Sequence, residues 1–341
     1  MLLDANGEAT IANAEMLPYA CGGVLVAGLV YVLMSILISV CGVRTIMKLF
    51  PPVVTGPIII SIGLILAPSA LNNCSTNWPI ALVAIFVVII CNIWGKGMIK
   101  IIPILLGVIA SYLVAAVSGN VDFTAVKDAA WIGLPVVWGN TGLSVFTGGE
   151  TDWGLVLTAI ITIVPIAFAT MMEHVGDISA IGGTVGRNFI EDPGLHRTLL
   201  GDGVGSMFGA FFGGCPNTTY GESVACVAIT RNASVATIRT AAIGAILISF
   251  FSPFVAFVDS IPACVMGGVC MALYGFIAVS GLKMIQTVDL EDNRNLFTVS
   301  VILIAGIGGL TLNFGSVTIT NIACALILGI VVNALLHRKK D

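Results

Sequence analysis

The sequence predicts an all-α protein that crosses a membrane many times. Three observations carry that expectation. Of 341 residues, 57% are hydrophobic and only 9% are charged, and the mean hydropathy is +1.06. Soluble domains carry about 25% charged residues, so this chain has too few to cover a water-facing surface. The apolar residues form continuous runs, not the ~10-residue alternating segments of a β-barrel. The basic residues fall on one side of the alternating connections, 13 against 1. Together these leave no room for a soluble enzyme, a nucleic-acid binder or a disordered chain. The net charge of -4 implies no polyanion partner.

A span needs about 20 mostly apolar residues. Eleven candidate segments can be read, near 19–40, 50–71, 79–95, 98–118, 154–178, 197–214, 219–231, 237–257, 262–282, 295–313 and 318–336. Before the first lies MLLDANGEATIANAE, acidic where a signal peptide is basic. The third segment is short. Between the fourth and fifth runs the longest connection, 119–153, whose GNTGLSVFTGGETDWG reads as a loop rich in turn residues. The fifth ends WGLVLTAIITIVPIAFATMM before Glu173. In the sixth, Gly201, Gly205, Gly209 and Gly213 recur every four residues, a smooth face for close helix packing. The seventh is too short to span and opens on poor helix residues, Pro216, Asn217, Thr218, Thr219 and Gly221. It reads as a non-helical stretch feeding a half-helix. Such backbone is tolerated at membrane depth only inside protein or along a cavity.

Orientation follows from Lys and Arg. One side holds Arg44, Lys48, Lys96, Lys100, Arg187, Arg197, Arg231, Arg239, Lys283, Arg294, Arg338, Lys339 and Lys340, and the other holds Lys127. The C-terminus is then cytoplasmic in a cell-membrane protein, and the acidic tail and the 119–153 loop lie outside.

Two weak repeats agree with each other. Pro51, Val54 and Gly56 open the second segment as Pro262, Val265 and Gly267 open the ninth. Leu105-Leu106-Gly107-Val108-Ile109 in the fourth resembles Ile327-Leu328-Gly329-Ile330-Val331 in the eleventh. Both pairs are seven segments apart. An odd offset means oppositely oriented copies, the inverted repeat of secondary transporters. On that basis 19–118 holds the last four segments of a first copy and 154–336 a complete second one. Three segments of the first copy are then expected to be absent at the N-terminus.

Ionisable groups at membrane depth mark function by default. Four acids qualify: Glu173, Asp177, Asp202 and Glu222. Glu173 and Asp177 share a helix face at i, i+4. Two carboxylates so placed in a poor dielectric favour a proton on one of them, which suits proton-coupled transport. Their bland alternative is a solvated helix end at the interface. Glu222 sits at the half-helix start, where free N–H groups offer ligand contacts. Asp202 is open between a structural hydrogen bond and a supporting role, and His174 reads as a packing or interface residue. The nine cysteines lie almost all in apolar runs without a CxxC, and suggest packing, not disulfides or a metal. GxSxG, HExxH and Walker A motifs are missing, so no enzyme and no cofactor are expected.

Four ordered motifs carry a resemblance: Glu173-His174-Val175-Gly176-Asp177, Asp192-Pro193-Gly194-Leu195-His196-Arg197, Pro216-Asn217-Thr218-Thr219-Tyr220-Gly221-Glu222, and Ala228-Ile229-Thr230-Arg231. They resemble the uracil permeases of the nucleobase–ascorbate transporter (nucleobase:cation symporter-2) family, from about residue 20 to the C-terminus. The resemblance implies fourteen segments in two inverted repeats of seven, with short strands at two broken half-helices, and often a homodimer. It implies a core domain (19–40 and 154–257) and a gate domain (50–118 and 262–336). It further implies uracil contacts from Glu173 and Glu222, backbone hydrogen bonds at Tyr220 and Gly221, and proton coupling at Asp177. After the second carboxylate the family continues Asn, any residue, Gly; here it is Ser223-Val224-Ala225. The expected function is uracil import by proton symport. A xanthine or other purine permease, and a shortened remnant that does not transport, remain the alternatives.

Overall fold

The structure, a computed structural model, describes residues 16–43, 51–147, 151–314 and 317–337. The acidic tail up to residue 15, Arg44, Lys48 and the last four residues lie outside the described residues. Each expected apolar segment is helical: α1 (Leu17–Cys41), α2 (Pro52–Ser75), α3 (Trp78–Trp94), α4 (Pro103–Val117), α5 (Trp153–Val185), α6 (Leu195–Phe211), α7 (Glu222–Thr230), α8 (Val235–Ser249), α9 (Ser252–Asp259), α10 (Ala263–Ile285), α11 (Asn293–Ile307) and α12 (Asn321–Leu336). Among them α1, α2, α5 and α10 are long and apolar enough to cross a bilayer. The protein is an all-α, multi-pass membrane protein.

Three boundaries differ from expectation. α5 runs on to Val185, seven residues past the expected end, because Ile178–Val185 is small and weakly polar but still helix-compatible. Gly186 then stops it with a left-handed φ of 76°. The segment 237–257 is two helices, α8 and α9, bent by 89°. Pro253 in the first turn of α9 explains the break, since proline suits a helix start and not an interior. In the 119–153 loop, the described residues form the short helices Thr124–Asp128, Trp138–Asn140 and Ser144–Thr147.

Contacts divide the chain into two compact units. The first comprises residues 1–58, 136–221 and 284–341. In it α1 packs against α5 and α6. Their shared core holds Ala27, Tyr31, Met34 and Ile38 with Ala167, Met171, Met172, Leu195 and Leu199. Lipid offers helices no hydrophobic reason to associate, so close backbone approach matters. Here the glycines responsible are Gly28 and Gly203. A Cβ on Gly203 would stand 2.6 Å from Tyr31 Cβ and 2.8 Å from the Gly28 carbonyl. The expected stripe works differently: Gly201 faces open space, and Gly205 and Gly209 face Asn217 and Cys215 of the following stretch. The stripe was legible as small residues, but α1 packs on the neighbouring face.

This unit also holds α11 and α12, joined by an antiparallel hairpin of β1 (Leu312–Phe314) and β2 (Val317–Ile319), with Leu312 opposite Ile319. Gly329 of α12 lets Ile302 of α11 approach to 2.6 Å of its would-be Cβ.

The second unit comprises residues 59–135 and 222–283. α3 and α4 pair there, and Gly107 of α4 meets Val88 of α3 at 2.5 Å from its would-be Cβ. So the two glycines aligned by the sequence repeat, Gly107 and Gly329, each seat a branched side chain of the preceding helix. Ile80, Ala115, Cys264 and Val265 form this unit's cluster. Tyr112 hydrogen-bonds Ser260 at 2.7 Å and meets Phe257 edge-on.

Candidate functional site

The site begins with α5. Asp152 caps it, its carboxylate accepting from the N–H groups of Gly154 and Leu155 at 2.8 and 3.2 Å. Thirty-three residues at 1.5 Å each give about 50 Å, well beyond the ~30 Å of a bilayer core. Glu173 and Asp177 therefore sit inside a helix, not at its frayed end. Their neighbours Met171 and Met172 are core residues. One turn before Glu173, the Thr170 hydroxyl lies 2.7 Å from the Tyr31 hydroxyl of α1. Thr170 also bonds back to the Ala167 carbonyl at 3.1 Å. With its one proton spent there, Thr170 accepts and Tyr31 donates.

The second part is the non-helical stretch 214–220 after α6. Buried backbone polar groups need partners, and α6 supplies them from its side chains. The Ser206 hydroxyl donates to the Asn217 carbonyl at 2.9 Å and accepts from the Asn217 N–H at 3.2 Å. One serine thus does for Asn217 what a neighbouring strand would do. Two residues on, the Thr219 hydroxyl donates to Asp202 of α6 at 3.1 Å. His174 of α5, only 3% exposed, reaches the same point. Its Nδ1 lies at hydrogen-bond distance from Thr219 Oγ1 and 3.3 Å from Asp202. Its Nε2 meets Thr198 Oγ1 of α6 at 2.9 Å.

Asp177 and Gly221 come together. A Cβ on Gly221 would stand 2.8 and 3.1 Å from the two Asp177 carboxylate oxygens. The residue at 221 must be glycine for that carboxylate to lie against its backbone. Tyr220 is 56% exposed, so its ring is not packed in the unit's core. Glu222 is the first residue of α7, and its side chain lies outside the described residues. α7 has nine residues, about 14 Å of helix, which is half a span. A helix beginning at Glu222 leaves its first-turn N–H groups without intrahelical acceptors. Its end is marked by Arg231 at a φ of 54°, a left-handed stop rare for a side chain of that size.

Of the residues singled out from sequence, the first unit joins Glu173 and Asp177 on one helix and sets Asp177 against Gly221. The link of His174 to Thr219 and Asp202 was not anticipated. Its one sequence signal is Thr198, Asp202 and Ser206, polar residues four apart along a helix that is apolar and glycine-rich after Arg197.

Residues 5–314 match the family described as "Permease family". The "Uracil permease" of Bacillus subtilis (strain 168) is 39% identical over 336 residues, covering 94% of this chain and 76% of its own length. That of Bacillus caldolyticus is 40% identical over 328 residues, covering 92% and 74%. The "Uracil permease" of Escherichia coli (strain K12) is 35% identical over 324 residues, covering 91% and 72%. A family match over residues 5–314 and relatives of this identity and coverage show that the chain belongs to this permease family.

Proposed function

We propose that this protein is a secondary active transporter that imports uracil together with a proton. The observation that carries the proposal is the contact of the Asp177 carboxylate with Gly221. It joins the acidic face of α5 to the broken backbone that the motifs mark as substrate-binding. Uracil presents two ring N–H donors and two carbonyl acceptors. Ionised carboxylates only accept, so Glu173 and Glu222 suit the N–H edges. Backbone N–H groups at Tyr220, Gly221 and the start of α7 suit the carbonyls. Asp177 is the proton-coupling group: its charge, changing beside Gly221, biases the backbone that holds the substrate. The relatives named above support the substrate, and the one-sided basic residues support a cytoplasmic C-terminus. The core (19–40, 154–257) and gate (50–118, 262–336) division and a homodimer belong to the same proposal.

The test is uptake of tritiated uracil by cells that lack their own permease and express this chain, with and without a proton uncoupler. Uptake that collapses with the uncoupler is expected. No uptake by correctly inserted protein would overturn the substrate, and uptake indifferent to the uncoupler would overturn the coupling.

A further inference from the structure

We infer that His174, Asp202 and Thr219 form a latch that positions the backbone of Tyr220 and Gly221. The inference rests on the proposed function for what that backbone binds, but not for the latch itself.

The stretch 214–220 has no helix or strand of its own to hold its shape. What holds it is a match of spacing. Residues two apart in an extended chain repeat every ~6.6 Å, and residues four apart on a helix repeat every ~6 Å. Asn217 and Thr219 are two apart and bond to Ser206 and Asp202, which are four apart and run the opposite way. The stretch therefore lies along α6 like a strand on a strand. These bonds to α6 fix Thr219, the residue directly before the proposed substrate contacts at Tyr220 and Gly221.

That point is fixed more firmly than a lone threonine requires. Thr219 has one proton and gives it to Asp202. Ionised Asp202 only accepts. The imidazole nitrogen facing both, Nδ1, therefore carries a proton and donates. The tautomer is assigned from these partners. Nε2 is left facing Thr198, whose hydroxyl lies 2.9 Å from it and 3.0 Å from the Leu195 carbonyl. With the imidazole neutral, Thr198 donates to Nε2; with it charged, Nε2 donates and Thr198 turns to Leu195. Either state keeps the Nδ1 donor on Thr219. Asp202 is the charged group that α6 sets against the ring. From α1, Tyr31 bonds Thr170 instead. Charge-assisted bonds of this kind exceed neutral ones, and they tie α5, α6 and the stretch at one buried place. These are positioning residues: they act through Thr219 and touch no substrate.

The test uses the full chain, purified and reconstituted. Thr219→Val keeps the shape and removes the hydroxyl; Thr219→Ser restores it. Amide hydrogen exchange over 218–221 is read without nucleobase, and then binding and uptake of tritiated uracil. Thr219→Val should raise exchange locally and raise the uracil Kd and KM on the order of tenfold or more, with Vmax retained. Thr219→Ser should recover both. A merely structural lesion would instead lower Vmax through lost protein and leave KM alone. Adding His174→Ala to Thr219→Val should cost little more, as for one shared interaction. Wild-type exchange and KM in Thr219→Val would overturn the latch. If that variant fails to fold, Asp202→Asn takes its place, with local exchange and KM again expected to rise and their constancy overturning the inference. Should the wild type bind no uracil, the proposed substrate fails, and exchange alone still decides the latch.

Discussion

Replacing Gly221 by alanine tests the central contact of the proposal. The added Cβ would stand 2.8 Å from Asp177 Oδ1, 3.1 Å from Oδ2 and 3.3 Å from Cγ. Ordinary contacts begin near 3.4 Å, so the nearer oxygen must withdraw by roughly 0.6 Å. Turning the carboxylate about its own axis only exchanges one oxygen for the other. The whole group has to move, or the stretch has to lift from α5. Gly221 is not in the left-handed region, so alanine is allowed by its backbone and the clash is the only new term. Overpacking of this kind costs about 1–3 kcal/mol, or on the order of 5- to 150-fold in an equilibrium constant. The assay is equilibrium binding of tritiated uracil to Gly221→Ala, alone and combined with Asp177→Ala. The single variant should bind 5- to 150-fold more weakly, by the same reasoning. In the Asp177→Ala background, where nothing is left to collide with, the same methyl group should cost almost nothing. Equal losses in both backgrounds, or no loss in either, would refute the contact.

Other outcomes follow from the same geometry. Gly203→Ala drives a methyl group into Tyr31 and the Gly28 carbonyl, and should destabilise by about 1–3 kcal/mol, lowering the melting temperature of the purified protein. Gly201→Ala, two residues away and facing open space, should leave it unchanged or slightly raised; similar behaviour of the two would sink the α1–α6 assignment. Glu222→Ala, at the opening of α7, should abolish uracil binding while membrane insertion, followed by protease protection, stays intact. In the 119–153 loop, hydrogen bonds from the Thr124 hydroxyl and N–H hold the Asp122 carboxyl below its ordinary value. A depressed carboxyl stabilises the folded loop above its unfolded pKa and loses that contribution as pH falls through the lowered value. Thr124→Val should bring the Asp122 titration back up, seen by carbon-detected NMR, and an unchanged titration would show that the hydroxyl is not the cause.

Much of this architecture was legible in the sequence, and much was not, for one physical reason. A bilayer demands long apolar runs, so the eleven segments could be read off, and each is helical. Local chemistry also showed: Pro216 through Gly221 cannot continue a helix, and the break before α7 is there. The aligned Gly107 and Gly329 each seat a neighbour's side chain, Val88 and Ile302, a contact that no repeat could name. What failed depended on the next helix. The stripe from Gly201 to Gly213 looked like a packing face, yet α1 lies against Gly203, because which side of a glycine-rich helix is covered is decided by its partner. The end of α5 was placed early, since hydropathy fades at Ile178 while the helix persists to Gly186. His174 reads as a packing or interface residue because it lies off the helix face that Glu173 and Asp177 share. Its partners Thr198, Asp202 and Thr219 stand 24 to 45 residues away, and no spacing rule reaches that far. The sequence by itself determined which runs suit lipid, that the helix must break before α7, and which acids stand among apolar residues; the bend between α8 and α9 it left unread. Only the tertiary structure decided which of those acids meets the broken backbone: Asp177 rests on Gly221 and Asp202 holds Thr219, since contacts between distant segments are set by packing and not by composition.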